Sequence, residues 1–159
     1  ALGISQCIML GWCGALLPSL QIGDIVLPTW AISEEGTSSH YPTSKPPQSS
    51  SQLRHSISKY LEIKGIPSTD GPIWTTDALY RETADKITGY ANQSLLAVDM
   101  EFSALATVSA FRGIDMAAVL LVSDELFHSE WKPGFQRKSF RKKSRHLFET
   151  LTEFMHTVL

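Results

Sequence analysis

The sequence predicts an α/β fold, and three observations between Leu95 and Leu126 carry that expectation. Leu95–Val98 and Met116–Val122 are short apolar runs of the kind that form fully buried strands. Between them Glu101–Arg112 contains neither Pro nor Gly, and Gly113 follows as a helix stop. Each run closes on carboxylates, Asp99 and Glu101 after the first and Asp124 after the second. A strand–helix–strand unit implies a right-handed crossover between parallel strands. Parallel strands end on one sheet edge, where open α/β sheets bind ligands. The acids are therefore read as a site. Helix caps and surface charges are the plainer alternative.

Composition bounds the rest. A length of 159 residues predicts one domain over residues 1–159. A hydrophobic content of 43% and a charged content of 19% are ordinary for a globular protein, and a net charge of -2 argues against a dedicated nucleic-acid binder. Cys7 and Cys13 sit in an apolar, glycine-containing stretch, the setting of buried reduced thiols and a cytoplasmic protein. No run is long enough to span a membrane. Gly3, Gly11, Gly14 and Pro18 break up the first apolar stretch, which does not read as a signal peptide. The chain starts at Ala1 directly before a strand-like run, as a fragment or processed product would. The histidines are scattered without metal spacing, and no Walker loop or GxSxG motif occurs, so no metal site is expected.

In chain order, Ile4–Leu10 reads as a buried strand and Gly11-Trp12-Cys13-Gly14 as a turn or a close approach to a ligand. Asp24–Ile32 is the next strand, limited by Pro28 to an edge or a bend. Residues 43–51, rich in Ser and Pro, predict an exposed loop. Leu53, Ile57, Tyr60 and Leu61 define one face of a helix over Gln52–Lys64, which Gly65 and Pro67 end. Gly71–Thr75 is a short strand and Glu82–Tyr90 a short helix. Glu125–Gly134 carries Phe127, His128, Trp131 and Pro133, either a cover for a pocket or a packed connection. Phe135–Leu159 is an amphipathic helix whose apolar residues Phe140, Leu147, Phe148, Leu151, Phe154, Met155 and Val158 repeat at three and four. Its other face holds Arg137, Lys138, Arg141, Lys142, Lys143 and Arg145, read as a solvated face, with anion or nucleic-acid contact as the lesser alternative.

Several segments, taken in order, resemble one family. Gly11-Trp12-Cys13-Gly14-Ala15-Leu16 with Gly23-Asp24-Ile25-Val26-Leu27, then Glu35-Gly36-Thr37-Ser38-Ser39-His40-Tyr41, Thr75-Thr76-Asp77-Ala78-Leu79-Tyr80, Val98-Asp99-Met100-Glu101 and Val122-Ser123-Asp124 are similar to segments of the nucleoside phosphorylases. That family includes uridine phosphorylase, bacterial purine nucleoside phosphorylase and methylthioadenosine nucleosidase. The resemblance implies a three-layer α/β fold with a central mixed, mostly parallel sheet flanked by helices. It also implies a homo-oligomer, a small-molecule nucleoside substrate and a chain without the family's N-terminal part.

The resemblance further implies residue roles. Asp99, Met100 and Glu101 would bind the ribose, Glu101 as a carboxylate that accepts from two hydroxyls. Cys13, Gly14, Leu79, Tyr80 and Ser123 would bind the base. Asp124, with a carboxyl raised by burial and assisted by Arg137, would protonate the purine N7 or hold its hydrogen. Trp12 lies on the nucleophile side. Met9 stands where phosphorolytic members carry a phosphate-binding arginine, and Trp12 where they carry Ser or Thr. The implied activity is cleavage of a purine nucleoside by phosphorolysis, with inorganic phosphate as co-substrate and no cofactor. The alternatives are hydrolysis and nucleoside binding without turnover.

Overall fold

The computed structural model describes residues 3–42 and 44–157. Thr43 of the predicted loop and Val158 of the predicted helix lie outside the described residues. Six strands and four α-helices follow one another along the described chain: β1 (Gln6–Ala15), β2 (Ile25–Glu34), α1 (Ser51–Ile63), β3 (Thr69–Thr76), α2 (Ala84–Asn92), β4 (Ala97–Asp99), α3 (Phe102–Arg112), β5 (Asp115–Glu125), β6 (Lys132–Pro133) and α4 (Lys138–Thr157).

The strands run in the order β1-β4-β3-β2-β5-β6, and β1 also pairs with β5. The mixed sheet thus closes on itself through β1 and β5, in place of the open middle layer of a three-layer fold. Its long ladders, β1 with β5 and β2 with β3, are parallel. Short antiparallel pairings of β1 with β4 and of β2 with β5 close it. Local layering survives at β5, because its side chains alternate between two buried clusters. Met116, Ala118, Leu120 and Val122 join Phe102 and Ala106 of α3. Ala117, Val119 and Leu121 join Leu53, Ile57 and Leu61 of α1 and Phe140, Leu147, Leu151 and Phe154 of α4.

The helices form where the periodicity places them. Ser50 caps α1 by accepting from the Leu53 amide, and Thr83 caps α2 by accepting from Lys86. That second cap starts α2 after Glu82, so Glu82 stands outside the helix expected to contain it. Gly113 ends α3 in the left-handed conformation that glycine adopts without strain.

Three further expectations are corrected, while the bend expected at Pro28 is present. β4 and β5 are not parallel neighbours, since β4 runs antiparallel to β1, which runs parallel to β5. Strand periodicity carries no direction, and here β1 lies between the two. Gly11-Trp12-Cys13-Gly14 makes no turn and belongs to the second half of β1. Within the expected 43–51 loop, residues 44–46 and Gln48 are exposed. Its end is docked, with Ala31 N donating to Pro47 O at 2.9 Å and the buried Ser49 Oγ to Pro28 O at 2.6 Å, and Ser51 already belongs to α1. Pro28 sits where the β2–β3 register shifts, so the strand bends there as its lost donor requires.

Candidate active site

The acids meet because of how β1 is shared. Gly14 pairs with Val98 on one side and with Asp124 on the other. β4 is three residues long and starts beside Ala15. Running antiparallel to β1, it brings Asp99 level with Cys13, one residue along β1 from the Gly14 that pairs with Asp124. The β1–β5 register shifts between Cys13 and Gly14, so Ser123 is an extra residue on β5. Bulges of this kind re-aim side chains beside sites. Gly14 lets the backbone pass close to these side chains. A Cβ on it would stand 2.7 Å from Leu126 Cδ1 and 3.2 Å from Asp124 Oδ2.

The result is a cavity of about 450 Å³. β1 contributes Leu10, Gly11, Trp12, Cys13 and Gly14; the β4–α3 junction contributes Val98, Asp99, Met100 and Glu101; the end of β5 contributes Ser123, Asp124 and Leu126. Leu79 and Glu82, from the segment before α2, complete the wall. The volume suits a small organic ligand. No Lys, Arg or His is among these wall residues, which carry the carboxyls of Glu82, Asp99, Glu101 and Asp124.

Those carboxyls differ in their surroundings. Asp99 is 3% exposed. It accepts from Thr75 Oγ1 at 2.6 Å and from the Phe102 and Glu101 amides at 2.7 and 3.1 Å. Burial pushes its carboxyl up to about 6 against the pull of those donors. It is thus engaged as the cap of α3, the plainer role the sequence allowed, while still lining the cavity. Glu101 is exposed. No described residue donates a hydrogen bond to its carboxylate, which leaves it free for a ligand. Asp124 takes the Ser123 hydroxyl on Oδ1 at 2.6 Å and the Trp131 indole N–H on Oδ2 at 2.8 Å. Burial, with Asp124 close by, pushes the Glu82 carboxyl up to about 7. Burial also raises the Cys13 thiol well above its ordinary value, and Asp99 and Asp124 add to the effect. Cys13 therefore lies between the two ends of the cavity as a neutral, buried wall.

Of the residues expected at the site, Trp12, Cys13, Gly14, Leu79, Asp99, Met100, Glu101, Ser123 and Asp124 line this cavity. Tyr80 does not. It is 96% exposed on a 3-10 turn and points its area to solvent. Arg137 does not either. It is exposed just before α4, and its amide bonds Gly134 O. Trp131, from the 125–134 connection, is the group that meets Asp124 instead. Met9 packs against the core beside β5 and is not a wall residue. Sequence reasoning misses Glu82, because a single acid after a turn carries no pattern. It also misses Trp131 as the partner of Asp124, although the bulky 125–134 segment stands out along the chain.

A cavity with one unengaged carboxylate at Glu101, apolar wall residues and no cation among them suits a small ligand rich in hydrogen-bond donors. Residues 1–156 match the family model described as the phosphorylase superfamily, and the chain belongs to that superfamily. It is 32% identical over 139 residues to a DeoD-type purine nucleoside phosphorylase of Caldanaerobacter subterraneus, covering 86% of this chain and 60% of the relative. The DeoD-type enzyme of Brevibacillus brevis is 29% identical over 139 residues, with 86% and 59% covered. The chain thus spans about three fifths of the length of these curated relatives. Among solved structures, purine nucleoside phosphorylase from Toxoplasma gondii in complex with immucillin-H aligns with a TM-score of 0.85 at 22% identity, over 94% of this chain and 62% of that one, a likeness of fold. AMP nucleosidase from Bacteroides thetaiotaomicron aligns with a TM-score of 0.74 at 30% identity, over 96% and 64%.

Proposed function

We propose that the cavity binds a purine nucleoside and cleaves its N-glycosidic bond by phosphorolysis, giving free base and ribose 1-phosphate. The observation that carries this reading is the separation of two acid groups by Cys13 and Gly14. The unengaged Glu101 stands at one end and Asp124 at the other. Glu101, with Met100 beneath the sugar, suits a ribose diol, since a carboxylate is acceptor-only and can take two donors. Leu79, Cys13 and Ser123 form the base end. Asp124 faces the purine N7, where negative charge grows as the bond breaks. A proton supplied there by its carboxyl lowers the barrier by neutralising that charge, general acid catalysis contributing roughly 10²–10⁴-fold. The sharing of this family with DeoD-type purine nucleoside phosphorylases supports the purine assignment. A cytoplasmic homo-oligomer belongs to the same reading.

Hydrolysis is a second reading, and one observation favours it. Phosphate needs donors and positive charge, yet no wall residue is a cation and Met9 lies away from the cavity. Release of free base from a purine nucleoside, measured with and without inorganic phosphate, decides between the two. Strict dependence on phosphate supports phosphorolysis, and equal rates without it support hydrolysis. No release in either condition, with Asp124→Asn leaving nucleoside binding unchanged, overturns the site.

A further inference from the structure

α3 carries polar side chains inward and apolar ones outward. Its buried residues are Phe102, Ser103, Ala106, Thr107 and Ser109. Ser103 Oγ donates to Glu35 Oε1 at 2.9 Å, and the Thr107 and Ser38 hydroxyls share a hydrogen bond of 2.9 Å. On the outer side Leu105 and Phe111 are exposed, with Ala104 and Val108 half-buried between them. Tyr41 covers one edge of Phe111, its ring centroid 5.2 Å away. Apolar residues on both sides of a helix are the pattern of one that is covered on both sides. The charges of α3 stand only at its ends. None occurs from Phe102 to Phe111, Glu101 precedes the first turn and Arg112 closes the last. Glu101, Leu105, Val108 and Arg112 follow one another at spacings of four, three and four, so they share one stripe. The ion pairs among the described residues use neither Glu101 nor Arg112. The Arg112 guanidinium lies 5.6 Å from the Phe111 ring.

We propose that this outer face of α3 is the contact with a second copy of the chain, the two helices lying antiparallel across a two-fold axis. The stripe is complementary to its own reverse, which is the property of a self-contact. An axis midway along α3, between Ala106 and Thr107, sets Leu105 of each copy against Val108 of the other. The same axis sets Glu101 of each copy beside Arg112 of the other. Apolar side chains then fill the middle of the contact and opposite charges its rim, in an isologous interface. The homo-oligomer of the reading above thereby gains a surface, while the contact itself requires no nucleoside. The contact also borders the cavity, because Met100 and Glu101 at the start of α3 are wall residues. It brings an arginine of the second copy to the unengaged carboxylate at the sugar end. A carboxylate has lone pairs for an arginine and a ribose hydroxyl together.

Sedimentation equilibrium over a range of protein concentrations, without ligand, tests the contact. The wild type is expected to reach a dimer. Arg112→Glu places like charges together at both ends of the contact and raises the dimer dissociation constant by at least about tenfold. Glu101→Arg does the same from the other side. Combining Glu101→Arg with Arg112→Glu exchanges the charges and restores the dimer. Within one α3 the two positions are about 16 Å apart at 1.5 Å per residue, so the rescue arises between copies. Leu105→Glu, which puts charge in the middle of the contact, also dissociates the dimer. All three positions are exposed, and circular dichroism verifies that each variant is folded. A wild type that stays monomeric, a dimer indifferent to Arg112→Glu and Leu105→Glu, or a combined variant no better than its two parents overturns the contact. Those outcomes leave the purine nucleoside reading standing, since release of free base decides it separately.

Discussion

Trp131 donates its indole N–H to Asp124 Oδ2 at 2.8 Å while the ring stays 57% exposed. A bond to a charged acceptor is worth roughly 1.5–3 kcal/mol, but little of that reaches global stability at an exposed site. Its effect belongs to the cavity. A ligand donor that approaches Oδ2 comes up against the indole. Titration with a purine nucleoside is therefore expected to change tryptophan emission, and Trp131→Phe to remove most of that change while shifting stability by under about 1 kcal/mol. An undiminished signal in the variant would show that the indole stays where it is.

A side chain at Gly14 meets close neighbours. The Cβ of Gly14→Ala would press on Leu126 and Asp124. Overpacking of a buried strand costs about 1–3 kcal/mol, and relief by moving Asp124 disorders the base end. Urea unfolding should register the loss of stability, and equilibrium binding a weaker nucleoside complex. Wild-type values in both measurements would contradict the close approach.

The contribution of Asp99 to stability should fall as pH rises through the carboxylate range. Asp99 in the folded protein titrates at about 6, above its ordinary 3.8. The folded state therefore keeps a proton that the unfolded chain has released. The stabilisation is complete below 3.8 and is lost as pH climbs through about 6. Each step of one pH between those two values removes about 1.4 kcal/mol. Glu82 acts with the same sign from 4.5 to about 7. Asp99→Asn is expected to flatten the lower part of this slope in unfolding curves taken at several pH values. A slope equal to that of the wild type would place the titration elsewhere.

Glu34 anchors the segment that carries Leu79 and Glu82. It accepts from Lys86 Nζ and the Tyr90 hydroxyl at 2.6 Å each and from Trp74 Nε1 at 3.0 Å. Burial opposes its charge, but these donors outweigh burial and hold its carboxyl below the usual range. The same contact, added to burial, pushes the Tyr90 phenol up to about 12. Glu34→Ala leaves three donors without their acceptor, a cost on the order of 2–4 kcal/mol. The variant should melt lower and bind nucleoside more weakly, because α2 no longer fixes the cavity wall. Unchanged binding in a folded Glu34→Ala protein would separate α2 from the site.

Much of the architecture was legible along the chain. The alternation of β5 between two buried clusters follows from an unbroken apolar run. The helices α1, α3 and α4 follow from periodicity and from the stops at Gly65 and Gly113. The basic residues of α4 are all exposed, as a solvated face requires. Strand direction was not legible. The antiparallel placement of β4 depends on which neighbour it finds, and three residues of apolar chain contain no record of that. For the same reason the straight run of β1 through Gly11 and Gly14 was hidden. Glycine marks either a turn or a close approach, and only the positions of Leu126 and Asp124 decide which.

The chain by itself determined which residue types are available to the cavity: the Asp99-Met100-Glu101 segment, the Ser123-Asp124 pair and the glycines of β1. Their chemistry resides in covalent structure and in short-range spacing. Tertiary structure alone decided their division of labour. It engaged Asp99 as a helix cap, left Glu101 open, turned Tyr80 and Arg137 out to solvent, and brought Glu82 and Trp131 to Asp124. Proton affinity and hydrogen-bond occupancy depend on burial and on neighbours distant in sequence. They exist only once the sheet has closed.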